Sequence, residues 1–176
     1  MGHRNFLIGA AAAAAAVSSP ITAAPVPAPS SANSDGRALV LVPLKITKID
    51  DLDFGTMISP SADGTVALNA TTSKRTYTGG VVGVPSDPGH RAYFGGAGSP
   101  NQQVILALVP PTELTDSNGD TIGVLALTLD NGGNPVRTID PTTRAFFVGV
   151  GGVLEIAANQ PDGDYSATFQ LLANYQ

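Results

Sequence analysis

The closing stretch GDYSATFQLLANYQ, residues 163–176, puts an apolar or aromatic residue at every second position: Tyr165, Ala167, Phe169, Leu171, Ala173 and Tyr175. Polar residues fill most of the places between. A period of two is the mark of a strand with one buried face. Chain ends ordinarily fray, so an end patterned up to its penultimate residue predicts a strand that walls the core.

The segments before it read the same way. RALVLVPLKITKI (37–49) opens the series, with Ala38–Val42 apolar on both faces and Leu44 and Ile46 alternating with Lys45 and Thr47. Such a double-faced run suits a strand covered on both sides, and Pro43 marks a bulge, an edge or a change of sheet. LDFG (52–55) sits at a turn. The candidates GTVALNA (64–70), RTYTGGVVGV (75–84), RAYFGG (91–96), QQVILALVP (102–110), TIGVLALTLD (121–130) and RAFFVGVGGVLEIAA (144–158) follow. Between them lie turn clusters such as SPSADG, PSDPGH, DSNGD and DNGGN. No segment after residue 37 carries a sustained 3.6-residue stripe. Short strands at near-regular spacing predict an all-β, antiparallel, immunoglobulin-like β-sandwich. The pairs Gly79-Gly80, Gly95-Gly96 and Gly151-Gly152 point to bulges or bends, which favours a sandwich over a closed barrel.

The first residues carry an address. MGHRNFLIGAAAAAAAVSSPITAA has a basic start at Arg4, an uncharged apolar run from Phe6 to Val17, and small residues before Ala23-Ala24. This is the pattern of a secretory signal peptide, assigned to 1–23. The run is too short to span a bilayer, so no membrane insertion is expected of the mature form. Residues 24–36, APVPAPSSANSDG, read as a flexible Pro/Ala/Ser arm, and 37–176 as the domain. The expected location is the periplasm, the cell surface or the medium.

Composition narrows the chemistry. The chain has 176 residues, which suggests one domain. It has no cysteine, so disulfides, thiol nucleophiles and thiolate metal sites are excluded. A net charge of −5 argues against nucleic acid and anionic lipid as partners. His90 is the one histidine beyond the leader, and no G-x-S-x-G elbow accompanies it. The acids fall in turn clusters, where Asx residues bond nearby backbone. DSNGDT (116–121) begins like a calcium loop but has Thr121 where glycine is needed and Leu127 where the bidentate glutamate belongs. GVGGVL (149–154) lacks the third glycine of a dinucleotide fingerprint. Asn69-Ala70-Thr71 matches a glycosylation triplet with no function attached. No catalytic residue, metal site or cofactor is assigned. Tyr77, Tyr93, Tyr165 and Tyr175 leave open a sugar-stacking surface.

The stretches LKITKIDDLDFGTM, GTVAL, FFVGVGGVLEI and QPDGDYSATFQLLANYQ resemble the family of exported bacterial proteins named domain of unknown function 4402. The resemblance implies a β-sandwich akin to pilins and spore-coat-U proteins, with no activity to carry over. Chaperone–usher pilins end in an alternating strand with a glycine fourteenth from the end and a penultimate tyrosine. Gly163 and Tyr175 hold those places here. By that likeness Gly163, Tyr165, Phe169, Leu171 and Tyr175 wall a groove left by a missing strand. Leu39, Val40, Leu41 and Val42 are then the candidate assembly strand, filling that groove in another copy by strand addition. Many such pilins carry a disulfide, and this chain departs from them in having no cysteine. The alternative is that 38–42 pairs within its own subunit.

The expected function is that of an exported, non-enzymatic structural or surface protein, pilin-like or fimbrial. Its partners would be other copies of itself or a periplasmic chaperone. The alternative is a secreted module binding carbohydrate or extracellular matrix, and a hydrolase using loop carboxylates is a third reading.

Overall fold

The computed structural model describes residues 32–176. The leader read at 1–23 and most of the arm, 24–31, lie outside them. The chain divides into two units, Met1–Ala38 and Leu39–Gln176. Residues 32–38 of the first are exposed and in no strand or helix. The second holds every element that follows.

That unit is all-β. Its strands are β1 (Lys45–Asp50), β2 (Met57–Ile58), β3 (Gly64–Leu68), β4 (Arg75–Tyr77), β5 (Val82–Gly83), β6 (Ala92–Ala97), β7 (Gln103–Val109), β8 (Glu113–Thr115), β9 (Thr121–Leu129), β10 (Val136–Thr138), β11 (Ala145–Ile156) and β12 (Gln170–Tyr175). A single 3₁₀ turn, Asn131–Gly133, follows β9. Every pairing is antiparallel.

The twelve-residue β11 organises the larger sheet. Val150 pairs with both Ala92 of β6 and Leu129 of β9, and Gly152 with both Leu68 of β3 and Leu127 of β9. So β6 and β3 share one edge of β11 end to end, and β9 takes the other. With β1 beside β6, β4 beside β3 and β8 beside β9, seven strands form one curled sheet. A second sheet has the order β10-β7-β12, and β2 and β5 form a small pair.

The two larger sheets share a core. Val104 and Leu106 of β7 and Leu171 of β12 cluster with Ala92, Phe146, Val148 and Val150 of β6 and β11. A second cluster joins Phe54, Val66, Leu68, Ile122, Leu154 and Ile156. The chain passes from one sheet to the other at Pro110-Pro111, between β7 and β8. Prolines have no N–H to give a ladder, so pairing breaks there and the strand turns the corner.

Three sequence expectations are corrected. The first strand begins at Lys45, and 37–44 is not strand. Its double-faced apolar run needs two covers, and among the described residues no strand pairs with it. The run 75–84 splits into β4 and β5 because Gly79 and Gly80 take positive φ, 64° and 86°. The closing strand is ladder-paired only over Gln170–Tyr175. Residues 163–169 meet other backbone only at the Thr115–Ser166 bridge.

Gly96 and Gly151 allow close approach within regular pairing. A Cβ on Gly96 would strike the Phe146 ring, and one on Gly151 the Leu68 carbonyl. The bulges lie elsewhere, at Lys48/Asp50 and Val153/Leu154.

Candidate functional site

The C-terminal stretch builds the site, starting from its backbone. Ser166 exchanges both backbone bonds with Thr115, at 3.0 Å each, and the Gln176 amide donates to the Gln103 carbonyl at 3.0 Å. Both are even-numbered. Backbone groups alternate sides along a strand, so the even residues face β7 and β8. Within β12 the odd residues 171, 173 and 175 turn their N–H and C=O groups to the opposite edge. Among the described residues β12 pairs with β7 alone, and no described strand lies along that opposite edge. Among the described residues β12 is therefore an edge strand, unpaired from Leu171 to Tyr175.

Beside the upper part of this edge lies a cavity of about 1020 Å³. Its floor is apolar, with Phe54, Ile122, Leu127 and Leu154 from the two core clusters. One lip is the segment 160–169. Here Tyr165 is fixed by donating to the Pro161 carbonyl at 2.8 Å, and its oxygen accepts from Gln160 Nε2 at 3.0 Å. Phe169 meets Phe94 edge to face at 6.0 Å.

The other lip runs from Lys48 to Ser59 and contains LDFG. Asp53 and His90 exchange backbone bonds at 2.9 and 2.7 Å. Phe54 is buried, and Gly55 turns the chain with φ 67°. Arg75 then clamps the loop by donating to the carbonyls of Phe54, Thr56 and Val84 at 2.8, 3.2 and 3.1 Å. The Asp87 carboxylate accepts from the Thr56 hydroxyl at 2.6 Å and amide at 2.9 Å. LDFG is thus a structural knot that holds the lip rigid.

The two ends of the edge differ. At its lower end the Tyr175 hydroxyl donates to the Val42 carbonyl and accepts from the Ser99 amide, both at 2.8 Å, and the Val42 amide donates to Ser99 Oγ at 2.9 Å. The penultimate tyrosine therefore ties the chain's entry point to the end of β12. Next to Val42, Leu41 is half-buried, and before it Leu39 at 73% and Val40 at 90% are exposed.

Of the wall residues read from sequence, Gly163, Tyr165 and Phe169 line the cavity. Leu171 is buried in the core below it, and Tyr175 forms the clip. Gly163 packs against Asp116, where an added Cβ would come 2.8 Å from Oδ2. The assembly segment Leu39–Val42 lies in no strand. Sequence reasoning missed the opposite lip and Ser99. LDFG was recognised as a family signature, but its spatial partner, the 84–90 loop, has no pattern that announces it.

Six aspartates line the cavity, Asp50, Asp51, Asp53, Asp87, Asp162 and Asp164, against one cation, Lys48. Lys48 is paired with Asp51 at 2.6 Å. The side chains of Asp50, Asp162 and Asp164 make no hydrogen bond or ion pair among the described residues.

Most other carboxylates serve turns. Hydrogen bonds from Thr56, its hydroxyl first, hold Asp87 below the usual aspartate value of 3.8. Amides of Thr143 and Thr142 lower Asp140 likewise. At Asp116 burial is the largest influence and raises the pKa. Bonds from Asp120, Asn118 and Gly119 together outweigh it and leave it lowered. No group of three or more metal-ligating side chains occurs among the described residues. Nor is any described helix long and apolar enough to cross a membrane.

The tyrosines are also committed. Tyr93 is stacked on Phe147 at 5.7 Å and covered by the Arg91 guanidinium at 4.9 Å. Tyr77 sits against Arg75, at 5.6 Å.

The family model described as Domain of unknown function (DUF4402) matches residues 44–175, and the chain belongs to that family. No curated protein and no solved structure matches it.

Proposed function

We propose that this member of the family is an exported, non-enzymatic structural subunit, in which two facing sheets make a pilin-like sandwich that lacks one strand. Its work is to accept a strand along β12, from another copy of itself or from a periplasmic chaperone, at the cell surface or in the periplasm. The observation that carries this reading is the edge of β12, unpaired among the described residues, beside a cavity of about 1020 Å³ with an apolar floor. An edge of that length is a template for another strand and must be covered. Main-chain bonds would hold the added strand, and the apolar floor would take its alternate side chains.

A sugar-binding module has less support, because the Tyr93 ring is already stacked on Phe147 and capped by the Arg91 guanidinium. For a hydrolase, Asp53, Asp116 and Asp140 are spent on backbone amides, which leaves Asp50, Asp162 and Asp164 as the cavity carboxylates with no described partner.

The test uses the full chain. Ala173 is an odd-numbered residue of β12, so its N–H points to the unpaired edge. Ala173→Pro removes that donor without removing a bond to β7. The unmutated chain is expected to form oligomers in size-exclusion chromatography and negative-stain microscopy. Ala173→Pro is expected to keep its circular dichroism and remain monomeric. An unmutated chain that stays monomeric at every concentration, with no chaperone bound, contradicts the proposal.

A further inference from the structure

We infer that Asn131 is a self-modification site, where the side-chain amide is lost to give aspartate and isoaspartate, while the fold protects the chemically equivalent Asn118.

Asparagine is a labile residue, most of all before glycine, which has no Cβ to hinder its own backbone nitrogen. The chain has two such pairs, Asn118-Gly119 and Asn131-Gly132. Both sit on exposed turns. The reaction is the same in each. The glycine nitrogen attacks the asparagine Cγ and a ring closes through the new N–Cγ bond. The Cγ–Nδ2 bond breaks, and ammonia leaves with the proton that the glycine N–H gave up. Water, the only co-reactant, then opens the ring. Opening at Cγ restores the ordinary peptide with an aspartate. Opening at the main-chain carbonyl leaves isoaspartate, with the backbone running through the former side chain. Nothing is oxidised or reduced.

The structure separates the two pairs. Asn118 Nδ2 donates to Asp116 Oδ2 at 3.0 Å, and its amide donates to Oδ1 at 2.9 Å. The Gly119 N–H donates to the Asp116 carbonyl at 3.4 Å, and the Asp120 amide adds a bond to Oδ1 at 2.8 Å. The attacking nitrogen and the amide it must attack are therefore both engaged. At Asn131 neither is: among the described residues its side chain and the Gly132 N–H make no hydrogen bond. Two long bonds close this turn, Gly133 N–H to the Asp130 carbonyl at 3.2 Å and Asn134 N–H to the Asn131 carbonyl at 3.3 Å. Asn131, Gly132 and Gly133 all take positive φ, 54°, 68° and 82°. The space where a Cβ would stand is open at both glycines. Few contacts resist the rotation that brings nitrogen to Cγ, so local opening costs little.

The position gives the reaction a consequence. This turn carries the chain from β9 in the seven-stranded sheet to β10 in the three-stranded one. Asp130, next to it, holds Arg137 of β10 in an ion pair that is largely buried. A carboxylate at position 131 repels Asp130 and competes for Arg137. Isoaspartate also lengthens the backbone of the link. The modified chain gains a negative charge and loses stability where the two sheets are joined.

The test incubates the full chain at mildly alkaline pH, folded and in urea. Mass spectrometry follows each Asn-Gly peptide, and an isoaspartate-specific methyltransferase counts the isoaspartate. In urea the two pairs are expected to react at similar rates. In the folded chain Asn131 should stay close to that rate and Asn118 should react about tenfold more slowly, since its bonds to Asp116 must break first. Asn131→Gln, whose longer side chain closes a less favoured ring, should silence the 131 peptide and hold the melting temperature through the incubation. Fresh Asn131→Asp protein should melt lower than the unmutated chain. Folding that protects Asn131 as strongly as Asn118, or Asn118 reacting first, overturns the inference. An Asn131→Asp protein that melts with the unmutated chain overturns the stated consequence for the sheet link.

Discussion

At the scale of the residue, Tyr175 joins the two ends of the domain. Its hydroxyl satisfies the Ser99 amide and the Val42 carbonyl, and Ser99 is buried. Removing one partner from a buried donor costs about 1–3 kcal/mol. Tyr175→Phe is therefore expected to lower the unfolding free energy by about that amount in urea titration. An unchanged midpoint would show that the clip adds nothing. Gly96 makes the complementary case. A Cβ there would enter the Phe146 ring. Overfilling a packed core costs about 1–3 kcal/mol, so Gly96→Ala should destabilise by that much and Phe146→Leu should recover part of the loss. Additive effects of the two changes would contradict the packing argument.

At the scale of the element, the closing strand was legible over Gln170–Tyr175 from its period of two, and the same period over 163–169 overstated its length. What the pattern could not convey is which edge is paired. Side-chain alternation reports the buried face and says nothing about hydrogen bonds in the perpendicular direction. Long strands such as β9 and β11 were readable for the same reason, at TIGVLALTLD and RAFFVGVGGVLEIAA. The three-residue β8 and β10 were not, because ELT and VRT are too short to show a period and sit among turn residues. Ala38–Val42 misled in the other direction. Its composition favours strand, yet a strand needs a neighbour, and among the described residues none pairs with it.

The turns between elements carry the pH dependence. Asp87, Asp116 and Asp140 have folded pKa values below the ordinary 3.8. Below that value the unfolded chain binds protons first, so stability is present above about pH 4 and is lost as pH falls further. Melting temperature is expected to hold from pH 7 to about 5 and then drop toward pH 3. Asp140→Asn should flatten part of that drop. A flat profile down to pH 3 would contradict the assignment of these carboxylates to the turns.

At the scale of the whole molecule, the protein has a shared core, a rigid lip at LDFG, and one side left open. The core was readable from the sequence as a set of apolar alternations. The cavity's second lip was not, because Lys48–Ser59 is held by tertiary contacts to Arg75 and Asp87 that no local pattern announces.

Hydrogen exchange along the closing strand tests this account most directly. The amides of Leu171, Ala173 and Tyr175 face the edge of β12 that no described strand pairs with. In dilute full-length protein they should exchange rapidly while the even-numbered amides of β12 stay protected. At concentrations where the chain assembles, the odd amides should become protected too. Odd amides already protected in the dilute monomer, or still exchanging rapidly in the assembled protein, would contradict the claim that this edge exists to receive a strand.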